Sequence, residues 1–215
     1  MKGTYRDLVK SYTSATGAEL EIKSTISSRT VKFPAFLTGL SQDFKSSWNT
    51  EQVYGRMDPI ASFQHTTRTI QVAFNVPAAS VKEAKKNHEK FSTFSQMLYP
   101  AYLKSSDLPP RQDESGNEIN RNVGNNTLTM AKSPLVRVKF GNLIRSQDQT
   151  KGLLGWVDGV SFKPTLTLGM FAEGGGDFYA KNYELSFTLN VLHEDDIGID
   201  SNNGEWLDGN KDFPF

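Results

Sequence analysis

Apolar residues fall on every second position in several stretches of this chain. Ile70, Val72, Phe74 and Val76 alternate with Gln71, Ala73 and Asn75, the period of a strand with one packed face. Val136, Val138 and Phe140 repeat it around Arg137 and Lys139, and Tyr183, Leu185, Phe187, Leu189 and Val191 carry it longest. Leu154, Trp156, Val160 and Phe162 form another set, with Asp158-Gly159 marking a bulge or tight bend. Leu40, Gln42, Phe44, Ser46 and Trp48 share one strand face, but only alternate members are apolar. That segment is expected to stay partly exposed in a single subunit.

One segment changes period. From Val81 to Tyr102, Ala84, His88, Phe91, Phe94 or Ser95, and Leu98 recur at spacings of three and four, which is one side of a helix. Ser80-Val81-Lys82-Glu83 reads as a capping box at its start, and Pro100 falls near its end. Lys82, Lys85, Lys86 and Lys90 lie on the outer side, a solvated face. The pattern predicts a mainly β (α+β) fold of antiparallel strands with one α-helix and a long hairpin.

Around this core, the organisation has three parts. Residues 1–30 are polar, with weak amphipathicity at Tyr5, Leu8, Val9 and Tyr12 and a trace of alternation at Leu20-Glu21-Ile22, and read as an N-terminal arm with little core of its own. Residues 31–194 form the β domain, in which Pro34 marks an edge or bend. Within it, about thirty polar residues from 104 to 133 read as a long loop, the natural place for an outer contact. Gly174-Gly175-Gly176-Asp177 is a turn before the last strand. Residues 195–215 form an acidic C-terminal tail.

Trp48, followed by Tyr54-Gly55-Arg56-Met57-Asp58-Pro59-Ile60, the pair Thr67-Arg68 and a β run, resembles the tube-fold baseplate and tail-tube proteins of contractile-tailed bacteriophages. The segment 183–194 is similar to the closing strand of those proteins, and the likeness spans roughly residues 30–104 and 134–194 as a pattern. It implies an antiparallel β-barrel or sandwich with one flanking α-helix, assembled as a six-fold ring that continues the inner tail tube, as the tube initiator or a hub-proximal tube protein. The implied partners are other copies of the chain in a homohexameric ring, with adjacent tail-tube and baseplate hub proteins. DNA would pass through the lumen without specific binding. The implied location is the virion tail or baseplate, assembled in the host cytoplasm. Tube initiator, main tube subunit, terminator and neck ring all fit the same pattern.

Composition narrows the alternatives. The 215 residues are 37% apolar, enough for one sizeable core. No run approaches the ~18 apolar residues of a spanning helix, and Met1-Lys-Gly-Thr-Tyr-Arg-Asp-Leu8 has no apolar signal core. A cytoplasmic protein is expected. With no cysteine, disulfides, thiolate metal sites and thiol nucleophiles are excluded together. Formal charge is zero, yet seven acids and the single base Lys211 fall between Glu194 and Phe215, leaving the remainder basic by six. No concentrated basic stripe with stacking aromatics appears, which argues against a nucleic-acid binder and agrees with a conduit.

Catalytic chemistry is hard to place. Asp208, Asn210 and Asp212 have alternate-oxygen spacing, but Phe213 stands where a calcium loop needs glycine. His193-Glu194-Asp195-Asp196 reads as a solvated acidic turn. Glu194 with Asp196 does not define an acid and a nucleophile, the glycine run lacks the lysine of a phosphate loop, and no serine sits in Gly-x-Ser-x-Gly. The chain is therefore expected to be a non-enzyme, with no cofactor and no metal.

Interface candidates remain. Trp48 and Tyr54 are large aromatics on an otherwise polar hairpin. Arg56, Asp58 and Arg68 suggest an ion pair fixing the Asp58-Pro59 turn, while Trp206, Phe213 and Phe215 suit docking of the tail on a neighbour. The competing function is a monomeric or dimeric β-rich binding module for carbohydrate or single-stranded nucleic acid.

Overall fold

The computed structural model describes residues 19–34, 36–104, 111–112, 118–119, 128–146, 150–194 and 196–207. It is built on one antiparallel sheet whose strands are β1 (Glu19–Ser24), β2 (Thr30–Pro34), β3 (Phe36–Glu51), β4 (Ile60–Pro77), β9 (Val136–Phe140), β10 (Leu153–Pro164) and β13 (Asn182–Val191). Their order is β2-β1-β9-β10-β13-β4-β3. A helix, α1 (Val81–Met97), follows β4. The mainly β character, the antiparallel pairing and the single α-helix among the described residues agree with the sequence pattern.

The sheet is strongly curled. β2 and β4 stand five places apart in it, which in a flat sheet separates them by about 24 Å. The rings of Phe33 on β2 and Phe74 on β4 nevertheless meet at 5.6 Å. On the far side, Gln42 Nε2 of β3 donates to the Leu143 carbonyl just after β9 at 3.1 Å. Among the described residues the curl stops short of a hydrogen-bonded closure, with β2 and β3 as the two edges of the sheet.

Alternation decides what the curl encloses. Leu20, Ile22, Phe33, Ile70, Val72, Phe74, Val136, Val138 and Leu189 are buried on the inner face. On the outer face Glu21, Lys23, Arg137 and Lys139 face solvent or pair with neighbours, as in the Lys32–Glu21 ion pair at 3.0 Å. The helix covers the inside: Phe91 packs on Phe33 and Phe162, and Phe94 on Phe187, with ring centroids 5.2, 4.7 and 5.7 Å apart.

Several local readings change. Residues 1–30 are not simply an arm, because β1 lies between β2 and β9 and contributes Leu20 and Ile22, both fully buried. Two apolar residues in alternation suffice for a strand flanked on both sides. The helix ends at Met97, five residues before the expected end, with Leu98 as its C-cap. Its buried side runs through Ala84, Asn87, Phe91, Phe94 and Met97, so Asn87 takes the inward place expected of His88, which is exposed. Ser80 caps it: its side chain accepts from Glu83 N at 3.3 Å, while the Glu83 carboxylate reaches back to Ala79 N at 2.9 Å.

The 104–133 segment is not one open loop. β5 (Ala101–Lys104) pairs with β8 (Leu128–Lys132), and β6 (Arg111–Gln112) pairs with β7 (Glu118–Ile119). In β10 the expected bulge is present: Val157 opposes Leu189 and Val160 opposes Phe187, with Gly159 at φ 79°. The extra residue reverses the alternation across it. Val157 and Val160 therefore pack against the core, while Trp156 is exposed on the other side. The glycine run is a turn between β11 (Met170–Ala172) and β12 (Phe178–Ala180). A short 3-10 turn, Leu166–Leu168, precedes it.

Candidate functional site: a projecting two-faced hairpin

The β3–β4 pair runs far beyond the sheet. The last pair between β13 and β4 is Asn190↔Thr69, but the β3 ladder continues to Glu51↔Ile60. Residues 60–68 thus pair with β3 alone and, at ~3.3 Å per residue, carry the hairpin about 30 Å past the sheet. Among the described residues, no further strand pairs with either of its long edges. A lone two-stranded hairpin is marginally stable in water, and an exposed edge is a template for another strand.

Two irregularities keep one face aligned along this length. Leu37 opposes Phe74 and Gly39 opposes Ala73, so Thr38 is the extra residue in β3. Ser47 opposes His65 and Trp48 opposes Phe63, so Gln64 is the extra residue in β4. The inner, apolar face therefore passes from Leu37, Leu40, Phe74, Val72 and Ile70 out to Phe44, Trp48 and Phe63. Trp48 and Phe63 form an edge-to-face pair, centroids 5.3 Å apart, and are 55% and 54% exposed. The pair is a core-like contact that the described residues of the subunit leave half-exposed.

Arg68 sits where the core ends and the projection begins. It is 2% exposed. Its Nε donates to Gln42 Oε1 at 3.1 Å, and its guanidinium lies over the Phe44 ring at 5.4 Å. Burial lowers its pKa to about 10, leaving it charged at neutral pH. Gln42 in turn donates to Leu143, so these groups tie the root of the hairpin to the opposite wall of the curled sheet. Nearby, partial burial first and the Arg68 charge second hold His193 below the usual 6.5.

The tip is formed by Val53-Tyr54-Gly55-Arg56. Arg56 N donates to the Val53 carbonyl at 3.3 Å, and Gly55 has φ 85°, the left-handed value a type II turn needs at its third position. Tyr54 and Met57 are 105% and 98% exposed. Arg56 and Asp58 are exposed on the same tip. The expected ion pair of these residues with Arg68 does not form, since Arg68 opposes Phe44 at the root. Eight residues of strand, about 26 Å, lie between Arg68 and the end of the ladder.

Of the other residues singled out, Trp206 forms an isolated bridge with Ile199 in the C-terminal segment, away from the hairpin ladder. Phe213, Phe215 and the spacing at Asp208, Asn210 and Asp212 lie outside the described residues. Sequence reasoning passed over Phe44 and Met57 as contact residues, and with them Leu166, Leu168, Met170 and Phe178, all exposed. Nothing in their spacing separates an exposed apolar side chain from a buried one.

The outer face has a different chemistry. Gly39, Ala73, Ser186 and Ser161 align across four strands, and with Ser41, Gln71 and Thr188 they line a shallow depression of about 630 Å³. Charges on this face are mixed in sign, with Lys163 3.8 Å from Glu184. Among the described residues, no group of three or more metal-ligating side chains is gathered, and no helix is long and apolar enough to cross a membrane. No family model matches the chain, and no curated protein matches it.

Proposed function

We propose that this chain is a non-enzymatic structural protein of the inner tail tube at the baseplate of a contractile-tailed phage. Copies associate as a homohexameric ring that seeds or continues the tube. The observation that carries this reading is the hairpin, with its two free edges and an apolar face extending the core face outward. Within one subunit, no described strand pairs with these edges and the Trp48–Phe63 pair stays half-exposed. In a closed ring each hairpin lies against the next subunit, which pairs an edge and covers the apolar face.

The outer face supports the conduit role. Gly39, Ala73, Ser161 and Ser186 give its centre short side chains, its charges are mixed in sign, and each cation added to such a wall would retain a passing phosphate backbone. The axial partners in this reading are adjoining tube rings, of this chain or of a neighbouring tube protein, and hub proteins, and DNA crosses the lumen without sequence-specific contacts.

Light scattering and negative-stain images of the purified chain, alone and with hub proteins, test the proposal. Rings of uniform diameter are expected. A stable monomer under both conditions would overturn it and favour a β-rich binding module.

A further inference from the structure

The exposed apolar residues are not all on the hairpin. The connection 165–181 joins the C-terminal end of β10 to the N-terminal end of β13, and in it Leu166, Leu168, Met170 and Phe178 are 65, 56, 43 and 63% exposed. Strand direction fixes where this connection lies. Asn182 opposes Pro77, at the end of β4 furthest from the hairpin, whereas Asn190 opposes Thr69, where the projection starts. The hairpin tip and this patch therefore sit at opposite ends of the subunit.

We infer that the hairpin tip, with Tyr54 and Met57, seats on the Leu166–Phe178 patch of a second copy of this chain in the adjoining ring, so that rings stack in one direction through a tip-to-base contact. This rests on the ring reading. Charge favours the same pairing: the tip carries Arg56 and Asp58, and the base connection carries Asp177 and Lys181, an opposite partner for each. A thioether and a phenol ring against aliphatic and aromatic side chains is a favourable, adaptable combination.

Area sets the condition under which the contact holds. Tyr54 and Met57 together expose on the order of 400 Å², about half of the ~800 Å² per partner buried in a stable pair. One tip is too small to join two free subunits. A ring presents its tips together, and the contacts then act at high effective concentration. Rings should stack, while unassembled subunits should not chain.

The full-length chain provides the test, by sedimentation and negative-stain imaging. The parent is expected to form stacks of rings. Tyr54→Ala with Met57→Ala should leave single rings, and so should Leu168→Ser with Phe178→Ser, because all four side chains are exposed in the subunit. Each variant keeps one working end, so mixing the two should give pairs of rings and nothing longer. Stacks that survive either double variant, a parent that forms only single rings, or a mixture that yields no pairs would overturn the inference and leave the ring reading intact. A parent without rings would defeat both. Should a double variant lose its β-type circular dichroism, the charges decide: Arg56→Glu should abolish stacking and added Asp177→Lys should restore it, and unchanged stacking overturns the inference.

Discussion

The two halves of β4 belong to one strand and share one partner, yet they live under different constraints. From Thr69 to Val76 the strand is held on both sides, by β3 and β13, and its inward residues Ile70, Val72, Phe74 and Val76 are almost wholly buried. From Ile60 to Thr67 it is held on one side and every residue is exposed. The sequence follows the change: strict alternation in the first half gives way to Ser62, Gln64, His65, Thr66 and Thr67, with Phe63 and Ile60 as the remaining large apolar residues. A strand that folds the subunit thus continues into one whose apolar groups are placed for something outside it.

The largest test of this division compares two phenylalanines. Phe74 is fully buried against Phe33 and Phe187, so Phe74→Ala should cost about 3–5 kcal/mol in unfolding free energy. Phe63→Ala removes a ring that is mostly wet and should change the stability of the isolated subunit by less than about 1 kcal/mol, as surface changes do. Denaturant titrations of the monomeric state measure both. Comparable losses would mean that the hairpin belongs to the core.

Trp48→Ala should reverse the emphasis. The subunit should keep its β-type circular dichroism and its unfolding midpoint nearly unchanged, while the buried-anchor loss of roughly 2 kcal/mol or more falls on each subunit contact. Rings should then fail to form at concentrations that assemble the parent. Unfolding of the variant would assign the indole to the core, and normal assembly would remove it from the interface.

Arg68 marks the border and should have an intermediate effect. Arg68→Met keeps much of the volume but removes the donors to Gln42, leaving a part-buried amide oxygen with less to accept, at about 1–3 kcal/mol. Because Gln42 also reaches Leu143, the variant should loosen the root of the hairpin more than the helix side. Amide exchange should therefore quicken in residues 42–46 and 64–68 before it does in α1. Uniform quickening would mean that Arg68 acts on the whole core.

The legible parts of the fold were those where burial repeats along several residues. β13 and β9 could be read because each is flanked by strands on both sides and packs one face on the core. The bulge at Asp158-Gly159 was visible through its glycine, but its consequence for Trp156 was not: a single inserted residue reverses the facing, and only the pairing register shows on which side of it the core residues lie. β1 was missed because Leu20 and Ile22 are too few to make a pattern, although two neighbouring strands bury them. The hairpin was visible as a turn between apolar runs. Its reach was not, since the place where β13 stops pairing depends on residues over a hundred positions away. Arg68 was read as a turn partner for that reason, its burial being set by Gln42 and the curl of the sheet.

The smallest effect should be a pH dependence at the same border. His193 follows β13 and is held below the ordinary 6.5, by partial burial first and by the Arg68 guanidinium second. The folded state thus keeps the imidazole neutral over an interval in which the unfolded chain already takes up a proton. Where the unfolded state binds more protons, stability rises with pH. The contribution from His193 is therefore full above 6.5 and declines as pH falls below it toward the lower folded value. Urea midpoints measured on either side of 6.5 should show a shallow decline for the parent and a flatter profile for His193→Gln. Arg68→Met should keep part of the slope, because burial is the larger cause and the guanidinium the smaller. A parent profile that rises on acidification would contradict the neutral imidazole, and an unchanged slope in His193→Gln would move the titration to another group.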